Sequence, residues 1–406
     1  MYLSKEEEHM LRGDYGEAVE ISMSILTKLG DMYQADRMIK ISQVHIDAAS
    51  YGGIYDAGLD MVERFAGEGA VFQVPTTLNS SGIDFERWRE LLIPPSFAEK
   101  QIRLADAYLK LGAIPTWTCA PYQYGEPVRP GQFIAWGESN AVAYANSVIG
   151  ARTNRYADLI DVCTAIAGRV PRFGLYLDEN RHGQILFKIC IDTKNFTCFD
   201  YASLGYYVGS ISGSKVPVLQ GISKSVTPDQ LKSFCAAIAT SGAVGLFHLC
   251  GITPEARNIE EAFGGMKPIE KIRVGAEELN ETKNRLCTMS GKCDLVLLGC
   301  PHYSIEQIGK VARRLHGKKI RRNMELWIFT NGIIKRLSDR IGYTQIIESA
   351  GGKIISDACF LSTHQDVWRF ESILTDSAKM AHYAPGICNI DVRFENAMRC
   401  VDEAVE

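Results

Sequence analysis

The chain has 406 residues, 46% of them hydrophobic and 23% charged, with a formal net charge of −4. That is enough apolar surface for two or three well-buried cores and too little charge imbalance for a nucleic-acid partner, so disorder and polyanion binding are set aside. No apolar run reaches the roughly 18 residues of a membrane span, the N-terminus Met1-Tyr2-Leu3-Ser4-Lys5-Glu6 lacks the order of a signal peptide, and twelve singly scattered cysteines do not resemble a secreted disulfide scaffold. The expectation is a soluble, cytoplasmic protein without a membrane partner, whose cysteines are thiols or metal ligands.

Ser4 is an N-cap with Glu7 in the capping-box position, and Ala18, Ile21, Ile25 and Leu26 recur at helical spacing up to Gly30, so the chain opens on helices. From residue 38 strand and helix alternate, with strands over 38–45, 71–75 and 114–118 and helices over 56–66 and 97–111. Single helices between strands specify parallel βαβ units, in which the ligand crevice lies beyond the strands' carboxyl ends. The loops leaving these strands carry His45-Ile46-Asp47, Thr76-Thr77-Leu78-Asn79 and Cys119, and they are expected to converge. Pro121 stops the run just after Cys119, which turns the sulfur toward a cavity rather than a ladder partner.

Residues 133–168 read as two helices interrupted near Gly150-Ala151-Arg152-Thr153-Asn154. Arg152 and Asn154, on that connector, are placed to reach a carboxylate or phosphate; pairing of Arg152 with a local acid such as Asp158 is the alternative. A strand over 174–177 and a second αβ run over 184–250 follow, and 254–290 reads as amphipathic helix and connector. From Asp294 the alternation resumes, with strands over 294–298, 325–329, 353–356, 370–374 and 389–394 and helices over 304–315 and 332–348. The fold class is therefore α/β, with several αβ domains on mainly parallel, doubly wound sheets, divided at 1–183, 184–275 and 276–406.

Cys119, Cys300 and Cys359 share one description, a place at or just past the carboxyl end of a buried strand. The other cysteines fall inside helical patterns, in strands, or at spacings that match no common zinc pattern. Three thiolates from distant strands with no fourth nearby suit an iron–sulfur cluster that leaves one iron open to substrate; buried structural thiols are the other reading. An open iron is a Lewis acid able to help a substrate hydroxyl leave as water.

At these residues the sequence resembles the aconitase X family, short relatives of aconitase. The resemblance is carried by Pro75 to Asn79, Thr118-Cys119-Ala120-Pro121-Tyr122, Trp136 to Asn140, Asn146-Ser147 with Gly150 to Asn154, Asp178 to Arg181, Gly299-Cys300-Pro301-His302, and Ser377-Ala378-Lys379 with His382-Tyr383. It implies an aconitase-like arrangement of αβ domains around a central cleft that contains a cluster, [4Fe-4S] or [2Fe-2S], on Cys119, Cys300 and Cys359. It departs from the family at Asp357-Ala358-Cys359, where Asp-Thr-Cys is expected; the missing hydroxyl weakens a hydrogen bond to a cluster sulfur.

The resemblance further implies dehydration of a small hydroxy acid. The stretches around His45, Trp117 to Gln123 and Arg155 to Asp161 look more like the branch acting on cis-3-hydroxy-L-proline than the one acting on mevalonate 5-phosphate. It also implies a small-subunit partner equivalent to the aconitase swivel domain, which supplies the serine base and is missing from this chain. Lys379 and Arg152 would hold carboxylate or phosphate, Ser377 would add donors at a helix N-terminus, and His302 and His382 are candidate proton carriers. Asn79, Tyr122, Glu138, Ser139, Asn140 and Asn154 complete the expected substrate site. One other class remains in view, a cluster-less binding or regulatory protein on the same fold; a nicotinamide dehydrogenase fails, because no Gly-x-Gly-x-x-Gly follows a strand.

Overall fold

A computed structural model describes residues 1–123 and 128–405. The expected capping box is present: Ser4 N–H donates to Glu7 Oε2 at 2.8 Å and Glu7 N–H to Ser4 Oγ at 3.4 Å, opening the helix Lys5–Leu11. A second helix, Glu17–Met32, follows a break where Gly13 and Gly16 take positive φ.

Among the described residues four sheets organise the remainder. A two-stranded antiparallel pair joins Met38–Lys40 to Arg169–Pro171. Beside it in sequence, a parallel sheet runs in the order Thr76–Leu78, Val44–Ile46, Ala135–Trp136. The middle of the chain forms a four-stranded parallel sheet ordered His248–Leu249, Pro217–Gln220, Ile185–Ile189, Glu270–Val274. The last part forms a five-stranded parallel sheet ordered Lys353–Ser356, Glu325–Thr330, Leu295–Leu298, Ser372–Thr375, Asp391–Phe394. The central strands of this last sheet are continuous apolar runs, as burial on both faces demands, and Leu295, Val296, Leu297 and Leu298 have no solvent exposure.

In each of the three parallel sheets the chain first winds one way and then the other. The reversal lies between Val44–Ile46 and Ala135–Trp136 in the first, between Ile185–Ile189 and Glu270–Val274 in the middle one, and between Leu295–Leu298 and Ser372–Thr375 in the last. Loops part company at such a switch point and leave a crevice at the strands' carboxyl ends.

Several expected elements differ, each for a local reason. Residues 71–75 form no strand, because Phe72 and Gln73 donate to the carbonyls of Leu111 and Ala165, and Val44 instead pairs with Thr76. The segment 114–118 keeps one bridge, Ile114 to Thr77; Trp117, at φ 41°, then leaves the ladder, although Thr118 still donates to the Leu78 carbonyl. Within 133–168 a short strand, Ala135–Trp136, precedes the helix Ser139–Tyr144, which widens into a π turn over Ala145–Ile149. Residues 174–177 form a 3-10 turn, Gly174–Tyr176, instead of a strand. The connector 254–290 hides an edge strand, Glu270–Val274, whose charged, exposed residues mask its pattern. The single helix expected over 332–348 is two, Gly332–Arg340 and Tyr343–Ala350, separated by left-handed Gly342. No helix among the described residues is long and apolar enough to cross a membrane.

Candidate active site

The switch points of the first and the last parallel sheet open on one cavity of about 290 Å³. From the first sheet come Asp47, Asn79 and Ser80, and Glu138 and Ser139. From the last come Gly299 to His302, Ala358 to Ser362, and Lys379 with Tyr383. The two walls are sewn together by backbone: Ser81 N–H donates to the Asp357 carbonyl at 2.7 Å and Cys359 N–H to the Ser81 carbonyl at 2.9 Å. Glycine is required at Gly299, which has φ 98° and whose added Cβ would lie 2.2 Å from the Phe329 carbonyl oxygen, so the turn into Cys300 can hug the neighbouring strand.

Cys119, Cys300 and Cys359 all line this cavity. The sequence separates them widely, yet Cys300 feels the charge of Cys359, and Cys119 that of Cys300. Burial pushes the Cys119 thiol well above its ordinary range and Cys300 up to about 12, so neither ionises at neutral pH without a compensating cation. Cys119 Sγ accepts the His302 backbone N–H at 3.2 Å. Among the described residues no three His, Cys, Asp or Glu side chains close on a point that would hold a single metal ion.

In the same cavity, Lys379 Nζ donates to Glu138 Oε1 at 2.5 Å and to Ser139 Oγ at 3.2 Å. Burial works against the lysine's charge, but the Glu138 carboxylate more than compensates and holds its pKa above the ordinary value. Burial likewise opposes ionised Glu138, and Lys379 with the Ala141 N–H at 2.8 Å keeps that carboxyl below its usual range. The pair is thus fully charged at neutral pH.

Several expected site residues are used elsewhere. Arg152 donates to the Tyr176 carbonyl at 3.0 Å and pairs with Asp178, outside the cavity; its expected rival partner Asp158 is not the one it takes, and Arg155 lines the cavity instead. Asn154 is consumed by backbone, donating to Phe173 and accepting from Leu175. Tyr122 stacks on Tyr144 with ring centroids 3.7 Å apart and donates to Asn140, whose Nδ2 in turn donates to the Cys119 carbonyl at 2.7 Å. Tyr122 and Asn140 therefore brace the Cys119 turn from behind. Ser377 is the N-cap of the helix Ala378–Ile387, accepting from Met380 at 3.0 Å, and its hydroxyl reaches the Cys300 thiol rather than the cavity. His382 shares a hydrogen bond with the Tyr206 hydroxyl at 2.8 Å and lies off the cavity. His302 does line it, but burial lowers its pKa to about 4 and it bonds the Ala358 carbonyl through Nε2 at 2.9 Å, so it sits there neutral.

Sequence reasoning missed Lys232. This lysine comes from the middle sheet's helix Pro228–Gly242, is almost fully buried, and donates to the His302 carbonyl at 2.8 Å and to Gln307 Oε1 at 2.6 Å. It clamps the loop that carries Cys300. A lysine inside an apolar helical run, Leu231-Lys232-Ser233-Phe234-Cys235, was the available signal.

Three family models match the chain: "Aconitase X first domain" over residues 1–179, "Aconitase X second domain" over 183–284 and "Aconitase X third domain" over 293–406. The phosphomevalonate dehydratase large subunit of Methanocaldococcus jannaschii is 40% identical over 97% of this chain and 98% of that protein. The cis-3-hydroxy-L-proline dehydratase of Pseudomonas aeruginosa is 38% identical over 98% of this chain and 69% of that protein. A crystal structure of the holo form of Thermococcus kodakaraensis aconitase X superposes with a TM-score of 0.90 at 36% identity, covering 100% of each chain.

Proposed function

This chain belongs to the aconitase X family, and from that premise we propose that it is the pocket-bearing large component of an iron–sulfur-dependent dehydratase acting on a small β-hydroxy carboxylic acid. The observation that carries the reading is the cavity itself, lined by three thiols and by a buried, fully ionised lysine–glutamate pair. The thiols fit a polynuclear cluster better than a lone ion, because they share a cavity without closing on one point. Cys119, Cys300 and Cys359 would hold it, with the His302 N–H on the Cys119 sulfur and the Ser377 hydroxyl on that of Cys300. When bound, such a cluster supplies a Lewis acid for the substrate hydroxyl.

The chain's own groups do the rest. Arg155 and Lys379 face the substrate carboxylate, with Lys379 pre-oriented by Glu138, and Ser139 and Asn79 add polar contacts. Apolar Leu297, Phe329, Phe360 and Leu361 keep one wall dry, which strengthens those charge contacts. The expected divisions 1–183, 184–275 and 276–406 remain our domain reading, the middle one acting through Lys232. The base that removes the carbon-bound proton belongs in this reading to a small companion subunit, supported by relatives whose names specify a large subunit.

For substrate we favour cis-3-hydroxy-L-proline. Among the described residues Glu138 neutralises Lys379, which leaves Arg155 as the uncompensated cation lining the cavity, enough for the single carboxylate of a zwitterion and one charge short for a carboxylate carrying a phosphate as well. The 40% identity to a phosphomevalonate dehydratase large subunit supports a second reading, mevalonate 5-phosphate. Both compounds carry the hydroxyl β to a carboxylate, so one elimination serves either. Comparing kcat/KM for the two, with the reconstituted two-component protein, decides between them: a preference of tenfold or more for the phosphate would overturn the choice, about 1.4 kcal/mol of differential transition-state binding.

A further inference from the structure

Elimination needs a proton for the departing hydroxyl as well as a base, and the cavity holds a carboxyl that the account above leaves unused. Glu138 is committed to Lys379. Asp47 forms no ion pair among the described residues, although it lines the same cavity, at the carboxyl end of the strand Val44–Ile46 and directly at that sheet's switch point.

Its surroundings fix it in place. Asn79 Nδ2 donates to Asp47 Oδ1, so the free oxygen, Oδ2, is the one left to carry a proton. Behind it, fully buried Asp161 accepts the backbone N–H of Asp47 at 2.5 Å and of Ala48 at 3.4 Å through Oδ2, and the Val162 N–H at 2.7 Å through Oδ1. The approach requires glycine at 137: a Cβ there would lie 2.6 Å from Asp47 Cβ and 3.0 Å from Asp161 Oδ2. This is a carboxyl held by design in one orientation toward a cavity.

We propose that Asp47 is the general acid of the elimination, giving its Oδ2 proton to the departing hydroxyl, with Asn79 and Asp161 as positioning residues. The assignment rests on the dehydratase reading. The C–H bond beside the carboxylate breaks, its electron pair becomes the second bond of the alkene, and its proton goes to the base. The C–O bond breaks with its pair on oxygen, which takes the Asp47 proton and leaves as water. Asp47 ends ionised and the base protonated, and exchange with solvent resets both without oxidant or reductant.

The titration of Asp47 suits this task. Burial, then the neighbouring carboxyls Glu138 and Asp158, raise it to about 7, opposed by Lys379 and by the Asn79 hydrogen bond. Asp161 behind it is itself raised to about 8 by burial and by Asp47, against the backbone N–H groups of Asp47 and Val162, and Arg155 lines the same cavity. A proton held near neutral pH is both available and readily given up.

The test is Asp47→Asn in the two-component protein with cis-3-hydroxy-L-proline. We expect kcat to fall about 10²- to 10⁴-fold, with the fall in wild-type kcat above neutral pH absent from the variant's profile. Asn79→Ala should retain that alkaline fall but displace it. Separately, in the wild-type chain without its cofactor, the loss of infrared carboxyl absorbance as the pH passes about 7, to which Asp357 also contributes, should be smaller in Asp47→Asn, and in Asp47→Ser should the amide variant fold poorly. A folded Asp47→Asn protein that keeps kcat within about threefold, or keeps the alkaline fall, overturns the proposal, as does an infrared titration identical in variant and wild type. A wild-type protein that turns over neither substrate defeats the dehydratase reading instead, and the infrared result still decides whether Asp47 carries the proton.

Discussion

Replacing Lys379 with methionine keeps the side chain's volume and removes its charge, which isolates what the ammonium does for the cavity. The Glu138 side chain is 4% exposed and that of Lys379 20%, so the substitution strands a carboxylate in a largely dry site. Removing one partner of a buried pair costs about 3–5 kcal/mol. Here the lower end applies, about 3 kcal/mol, because Lys379 retains some contact with solvent and Glu138 keeps the Ala141 N–H. Glu138→Gln alone strands the ammonium and should cost a similar amount. The double variant Lys379→Met/Glu138→Gln removes both charges and should be less destabilised than the sum of the singles by about 2 kcal/mol or more. Urea unfolding at pH 7 measures all four corners of the cycle. The single Lys379→Met penalty should also shrink in acid, because without the lysine the Glu138 pKa rises and protonation relieves the stranded charge. Additivity of the two substitutions within about 0.5 kcal/mol would refute the buried ion pair as the organiser of this wall.

Three further outcomes follow from the geometry. Arg152→Ala should leave kcat/KM within about twofold, since that arginine serves Tyr176 and Asp178, whereas Arg155→Ala should lower it roughly 10- to 150-fold by removing a charged contact to the substrate anion. Gly137→Ala should cost about 1–3 kcal/mol and displace Asp47, read as a lower melting temperature together with a lower kcat. Stability should fall as pH rises from about 6.5 to 8. Asp47 and Asp161, raised in the folded state to about 7 and about 8 from 3.8, still hold protons that the unfolded chain has released, which outweighs the opposite contribution of His45 and His302, lowered to about 4 in the folded state while the unfolded imidazoles are still partly protonated near pH 6.5. Melting temperatures across that range check the sign, and Asp161→Asn should flatten the slope.

The sequence announced this fold most clearly where one physical signal acted alone. The strands around Leu295 and Leu326 are buried on both faces, read as unbroken apolar runs, and stand where expected. Glu270–Val274 was hidden because an edge strand presents charge to solvent, and the segment ending at Cys119 looked like a strand because its apolar run carries no mark of the left-handed turn at Trp117. At the site, placement at strand ends was enough to single out three thiols that line one cavity. Which polar residue faces that cavity was not legible. Arg152 and Arg155 lie three positions apart on the same irregular connector, and only the partners supplied by Asp178 and Tyr176 distinguish them. Asp47 was visible as a strand-end acid, but its lack of an ion pair among the described residues depends on Lys379, more than two hundred positions from Glu138, being taken by that glutamate.

The central claim, that the three-thiol cavity is the reacting site of a dehydratase, is tested most directly by one comparison. Wild-type and Cys300→Ser chains, each reconstituted anaerobically with iron and sulfide and combined with the small subunit, would be assayed for conversion of cis-3-hydroxy-L-proline to its unsaturated product. The account expects turnover by the wild type on the order of 1 to 1,000 per second and loss of both bound iron and turnover in Cys300→Ser. A Cys300→Ser protein that eliminates water at the wild-type rate would contradict it.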